Sequence, residues 1–250
     1  MVVDLQKADL WKRIAAWLLD IMLLAVLAVG VGFLLSAILN YDGHYQKYET
    51  KYDYYMAEYD LKDVDLLNPA DEQEQARCDA ASAAMRVDTE LIRLENLLSN
   101  LMLIIVTFSL LITIVLLEFV APLLFGNGQT VGKKLFALGL IRTDSVKIGN
   151  FQLFVRAVFG KFTIETMIPA YVALMTLFGR VTLAGMILVV ALGLIQMICV
   201  MASSTNSAIH DFLAGTIVVD ISSQQVFKTP QELIAYTKRI HAEEANRKEY

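Results

Sequence analysis

Charged side chains set inside long apolar runs are the residues of this 250-residue chain that could do chemistry. An ionisable group at the centre of a membrane helix costs about 2.5 kcal/mol or more, so it needs a partner or a purpose. Arg13 and Asp20 are seven residues apart, almost two helical turns, and therefore share a face. That spacing puts Asp20 about 10 Å deeper than Arg13, which is close enough to the edge for its guanidinium to snorkel. Glu118 falls near the end of a second apolar run, with Thr107 on its face. Gln196, Ser203, Ser207 and His210 fall on one face of the last run. The polar stretch Ser203-Ser204-Thr205-Asn206-Ser207 is expected to unwind that helix just before His210-Asp211.

The elements that must position these residues follow from segregation. The chain is 56% hydrophobic yet 19% charged, which agrees only if the two kinds of residue are kept apart. Between Arg13 and Asp42 lie 28 residues with one charge, Asp20. Between Glu95 and Lys133 lie 37 with one charge, Glu118, and between Arg180 and Asp211 lie 30 with none. A helix needs about 20 apolar residues to cross the hydrocarbon, so these are three membrane spans. Residues 162–179, carrying only Glu165, make a fourth; Pro169 kinks it, and a re-entrant or interfacial segment is the competing reading. The apolar run Ile14 to Leu39 is too long for a cleaved signal peptide.

The expected fold is an all-α polytopic membrane protein: a four-helix transmembrane bundle, an extracytoplasmic helical hairpin and a small cytoplasmic β element. Its order is 1–40 (N-terminus and first span), 41–96 (hairpin), 97–124 (second span), 125–161 (Gly/Lys loop, β element and interfacial helix), 162–179 (third span), 181–204 (fourth span) and 205–250 (C-terminal segment). Segment 41–96 holds six Lys/Arg against fourteen Asp/Glu, whereas 125–162 holds six against the single acid Asp144. The positive-inside rule puts the second segment in the cytoplasm and the first outside, with both termini cytoplasmic in the plasma membrane. Lys7, Lys12 and Arg13, with Trp11 and Trp17 as an aromatic belt, fit that orientation.

In the outer segment Tyr41, Tyr45, Tyr48, Tyr52, Tyr55 and Tyr59 step by four and three, one face of a helix in heptad register. Ala84, Val87, Leu91, Leu94, Leu98 and Leu101 form a second stripe running into the second span. Asn68 is expected to cap a helix beginning at Pro69, and Asp42-Gly43 marks a possible break in the first arm. The two arms predict an antiparallel coiled coil, either packed on itself or offering a surface to a second copy or a membrane-protein partner. Cys78 and Cys199 are not expected to pair.

Beyond the second span, Gly128-Gln129-Thr130-Val131-Gly132-Lys133-Lys134 has the wrong glycine spacing for a phosphate loop. Its glycines are expected to turn the chain at the membrane surface while the lysines meet anionic headgroups. Leu138–Thr143, Val146–Ile148 and Thr216–Ile221 predict a small sheet. Asn150 is expected to cap a helix that lies in the interface with Arg156 on its far side. A short polar helix over 231–246 closes the chain. No nucleophile–base pair, metal-ligand spacing or cofactor motif appears, and His44, His210 and His241 are scattered, so neither an enzyme nor a cofactor or metal is expected. A net charge of −5 without a basic aromatic stripe speaks against nucleic acid as a partner.

Three blocks, Lys12-Arg13-x6-Asp20, Gly128 to Leu135, and His210-Asp211-Phe212-Leu213-Ala214-Gly215-Thr216, resemble the RDD family of polytopic membrane proteins. The resemblance implies that Arg13, Asp20 and Asp211 are the arginine and two aspartates that name it. It also implies two roles. One is a membrane-complex assembly or scaffold subunit in which the three residues form a buried lock. The other is a cation or proton transporter in which Asp20 titrates, Asp211 and Glu118 are second sites, and Arg13 is released when a cation replaces it. Residues His210 and Gln196 would be accessory. The Tyr-rich segment departs from the family's simpler connection of its first two spans and raises the weight of a partner.

Overall fold

A computed structural model describes residues 8–66, 69–179 and 182–248. Lys7, Asn68 and Arg180, which carry expectations above, lie outside the described residues. The chain is mostly helical, with α1 (Leu10–Ile38), α2 (Tyr41–Glu58), α3 (Glu72–Val87), α4 (Thr89–Phe125), α5 (Val131–Leu135), β1 (Leu138–Arg142), α6 (Asn150–Leu177), α7 (Leu183–Ala202), α8 (Ile209–Ala214), β2 (Thr216–Asp220) and α9 (Pro230–Lys248). Helices α1, α4, α6 and α7 are each long and apolar enough to cross a membrane. Helix α7 buries none of its side chains and α1 only Ala16. Such largely apolar, outward-facing helices are stable in lipid and a liability in water. Two units divide the chain, residues 1–29 with 110–250 and residues 30–109.

In the first unit the two strands pair antiparallel, Leu138 opposite Asp220 and Arg142 opposite Thr216. A two-stranded sheet is marginal alone, and here both faces are covered. Leu138, Leu140 and Val218 pack with Ala16, Ile148 and Leu153, while Ile141, Ile217 and Val219 pack on the opposite face with Val226. The return strand expected at Val146–Ile148 is reduced to isolated bridges, Ile141 with Lys147 and Val146 with Phe227.

The helix expected to lie in the interface is instead the first part of α6, a continuous 28-residue helix. It begins after Gly149, whose N–H donates to Gln152 Oε1 at 3.1 Å, so Asn150 is its first residue rather than its cap. Val155–Met167 is wound as π-helix, as is Val115–Val120 within α4. In the wider i→i+5 winding, residues five apart fall on one side. Arg156 and Lys161 are thereby brought onto the inward face, and Arg156 is 3% exposed rather than turned to the far side.

In the second unit α2 and α3 pack through Tyr52, Met56 and Tyr59 against Cys78, Ala81 and Met85. The direction is antiparallel, since Lys51 pairs with Glu90 and Asp60 with Arg77. The predicted second stripe does not hold through its first half. Helix α3 starts at the cap Asp71, which accepts from the Glu74 N–H at 2.7 Å, and not at Pro69. It ends at Val87, which is 79% exposed. Asp88 then breaks the helix, so Ala81 and Met85 take the places expected of Ala84 and Val87, while Leu91, Leu98 and Leu101 are buried as one face of α4. The first arm breaks at Asn40, which adopts a left-handed conformation, and not at Asp42-Gly43.

Asp88 is the pivot of this unit. Its Oδ1 accepts from the N–H groups of Glu90 (2.8 Å) and Leu91 (3.1 Å), and its Oδ2 accepts from Tyr55 Oη at 2.8 Å and meets Lys51 Nζ at 3.0 Å. These backbone donors, with Tyr55, hold its carboxyl below the usual range. Asp88→Ala removes the cap of α4 and both cross-helix bonds. Loss of an aspartate cap costs about 1 kcal/mol, and the expected result is faster amide hydrogen exchange at Glu90 and Leu91 with exchange at β1 unchanged.

Candidate functional site

The charged residues of the first unit form two linked clusters. The first is centred on Asp211, which sits in the first turn of α8 and is 1% exposed. Its Oδ1 lies 3.2 Å from Arg156 Nη2 and accepts from Thr216 Oγ1 at 3.3 Å. Its Oδ2 lies 3.8 Å from Arg13 Nη2 and accepts from the Ala208 N–H at 3.1 Å. Burial alone would raise the carboxyl, but Arg156 above all, with the Ala208 N–H and Arg13, holds it well below the ordinary aspartate value. Arg13 also donates to the Thr205 carbonyl at 2.8 Å, within the polar run that ends α7 as the sequence predicted.

His210 extends this cluster. Its Nδ1–H donates to Glu165 at 2.7 Å, and its backbone N–H donates to the same carboxylate at 3.2 Å. Burial, and Arg156 nearby, push the imidazole down from its ordinary value, which favours the neutral ring. Helix α8 approaches α6 at Gly160, where an added Cβ would collide with His210. Gln196 on α7 accepts from the Ile209 N–H at 3.0 Å and so orients the start of α8.

The second cluster surrounds Asp20. Its Oδ1 accepts from the Gly132 N–H at 2.8 Å and its Oδ2 from Thr130 Oγ1 at 2.5 Å. Thr130 in turn caps α5, accepting from the Lys133 N–H at 3.3 Å. Gln129 donates to the Leu138 carbonyl at 2.8 Å, and a Cβ on Gly128 would press on Leu140. The glycine loop therefore does hold an anion, and the anion is the chain's own Asp20. Gly132 permits this, because a Cβ there would strike the Ala16 carbonyl oxygen of α1.

Lys133 is 7% exposed and lies 4.0 Å from Glu118, whose other oxygen takes Lys161. It does not reach for headgroups as the sequence reading expected; Lys134 alone of the pair is exposed, over the Phe125 ring. Burial drives the Lys133 amine down to about 7, against the opposing pull of Glu118.

The predicted triad is thus split. Arg13 and Asp211 meet; Asp20 is bound to the loop and has neither as partner in the distances above. Glu118, His210 and Gln196 each join the network. The sequence reading missed Arg156 as a second partner of Asp211, Lys161 as the partner of Glu118 and Glu165 as the partner of His210. All three lie on α6, and their spacing of five and four was the available signal.

Between these clusters run two cavities. One of about 380 Å³ is lined by Asp20, Glu118, Lys161, Glu165 and Gln196 together with apolar residues such as Trp17 and Leu24. The other, about 280 Å³, is lined by Arg13, Arg156, Lys133 and His210. Asp20, Lys161, Glu165 and Gln196 border both. Counted from its start at Leu10, α1 carries Asp20 about 15 Å along its axis.

Gly132→Ala should unseat the loop from Asp20, at the roughly 1–3 kcal/mol typical of overpacking, and a lower thermal midpoint in detergent will register it. Lys133 supplies a pH test. The unfolded chain keeps its proton up to 10.5, and the folded one releases it at about 7. Between those values the unfolded state binds more protons, so stability must rise with pH. Lys133→Met should flatten that rise in unfolding midpoints measured across the window.

A family model described as the RDD family matches residues 7–215. Comparison with curated proteins and with solved structures gave no match.

Proposed function

The chain belongs to the RDD family, and from that premise we propose that it is a cation/proton-exchanging membrane protein. The observation that carries this reading is the 380 Å³ cavity: Asp20, Glu118 and Glu165, on three different spans, line one space, and Gln196 joins them from the fourth. Ionisable groups facing a bundle interior mark ion and proton paths. Of the two family aspartates, Asp20 borders the cavity and ties the glycine loop to its wall, beside the exchanging carboxylates Glu118 and Glu165. Asp211, shared between two arginines and almost fully enclosed, acts as the lock that seats α8 against α1 and α6.

A cation entering the cavity would compete with Lys161 for Glu118 and with His210 for Glu165; once Glu118 is taken, Lys133 loses the counter-charge that holds its proton and releases it, so that one proton leaves as one cation binds. The chemistry requires no covalent step, so an enzymatic role is not part of the proposal. The charge contrast between 41–96 and 125–162 supports both termini in the cytoplasm of a plasma-membrane protein, with residues 41–96 outside.

The assembly-subunit reading draws support from a separate observation. The hairpin leaves Tyr45, Tyr54 and Val87 exposed, and aromatic residues are enriched where partners or second copies dock. Saturated pairs such as Arg13–Asp211 serve a scaffold equally well.

Reconstituted into liposomes, the protein is expected to dissipate an imposed pH gradient when sodium is added. Glu165→Gln, checked as monodisperse, should slow this by about tenfold or more, as for a lost proton-transfer group. An inert parent protein would reject exchange in favour of assembly. Orientation is checked by Asp53→Cys in a Cys78→Ser background, since Asp53 is exposed; the new thiol is expected to react with a membrane-impermeant maleimide in intact cells.

A further inference from the structure

We propose that the 280 Å³ cavity takes the phosphate group of an anionic phospholipid, with Arg156 as its principal donor. Arg156 gives Nη2 to Asp211 and leaves Nε and Nη1 buried with no hydrogen-bond partner. A guanidinium stays charged and has five N–H donors in a planar fork, and buried donors of that kind are answered in folded proteins. Its fork matches two oxygens of a phosphate.

The charge around the cavity fits the same guest. Four potential cations, Arg13, Lys133, Arg156 and Lys161, line it against three carboxylates, Asp20, Glu165 and Asp211. Each carboxylate is already served: Asp20 by Thr130 and Gly132, Glu165 by His210, Asp211 by Ala208, Thr216 and the two arginines. Lys133 and Lys161 are in turn held by Glu118 and Arg13 by Asp211, so the unanswered buried groups among the described lining residues are the two Arg156 donors, and an oxyanion answers them.

The rim selects a lipid over free phosphate. Ile14, Trp17 and Val200 line the same cavity, and Trp17 is 55% exposed on a helix whose outward face is apolar. A headgroup phosphate seated on Arg156 would lay its acyl chain along that wall. Free phosphate has no use for it. This site is separate from the surface lysines expected to meet headgroups; it shares Asp20, Lys161, Glu165 and Gln196 with the larger cavity, but its principal donor, Arg156, lines this one and not the larger.

Trp17 is also the reporter. The chain has two tryptophans, and Trp11 is 77% exposed, so Trp11→Phe leaves Trp17 as the single reporter. Detergent-solubilised protein is titrated with phosphatidylglycerol or phosphatidylcholine brominated on the acyl chain. Expected is saturable quenching by phosphatidylglycerol at about tenfold lower concentration, the effect of 1.4 kcal/mol. Arg156→Lys keeps a charge for Asp211 but removes the two free donors, and should erase the preference. Equal quenching by both lipids in the parent overturns the proposal, as does a preference that survives Arg156→Lys. Loss of the phosphatidylglycerol quench on adding millimolar inorganic phosphate also overturns it, by assigning the site to a free anion. If Arg156→Lys fails to fold, the parent comparison and the phosphate competition decide.

Discussion

One carboxylate held between two guanidiniums is the constraint on which the first unit rests. Asp211 is nearly sealed from solvent, and an isolated charge in such a place would cost several kcal/mol. Arg13 comes to it from α1 and Arg156 from α6, while Thr216 ties it to β2. The four elements are thus fixed about a point, and removing either arginine would leave a buried charge less than compensated. That is a condition on geometry more than a source of stability, since buried pairs return little net energy against well-packed apolar groups.

The same logic governs Asp20 by a different route. Its two oxygens accept from a hydroxyl and a backbone N–H of the glycine loop, with the Lys133 charge nearby. The loop is consequently a part of the bundle. Its glycine is required by the close approach of α1, and its lysine is drawn inward to Glu118, leaving Lys134 as the outward-facing cation of the pair. Together the two aspartates bind the glycine loop and α8 to the spans, Asp20 through hydrogen bonds and Asp211 chiefly through charge.

Much of this was legible in the sequence. Apolar runs of 28 to 37 residues mark α1 and α4 without ambiguity, because hydrocarbon thickness admits few alternatives. The β-branched pieces at 138–143 and 216–221 foretold the strand pair, and Arg13 and Asp211 were identified as partners through the family blocks. What escaped notice lies on α6. Reading with a period of 3.6 put Arg156 on the outer face of a short interfacial helix, whereas the i→i+5 winding of Val155–Met167 carries it inward with Lys161. Winding of that kind leaves no mark in an apolar pattern read at helical period. The hairpin's stripe failed for a related reason: Asp88 satisfies backbone donors as a cap, and a cap resets the phase of every residue that precedes it. Asp20 was assigned to Arg13 from proximity along one helix, when a loop more than a hundred residues later supplied better donors.

The thirteen-residue wide-wound stretch of α6 has a mechanical corollary. Such a coil stores surplus contour length within a span of fixed rise. Tightening to ordinary winding would lengthen the helix and swing Arg156, Lys161 and Glu165 out of mutual alignment, stripping Asp211, Glu118 and His210 of their counterparts at a single stroke. The ion pairs of Arg156, Lys161 and Glu165 are therefore conditional on one winding, and all three share its fate.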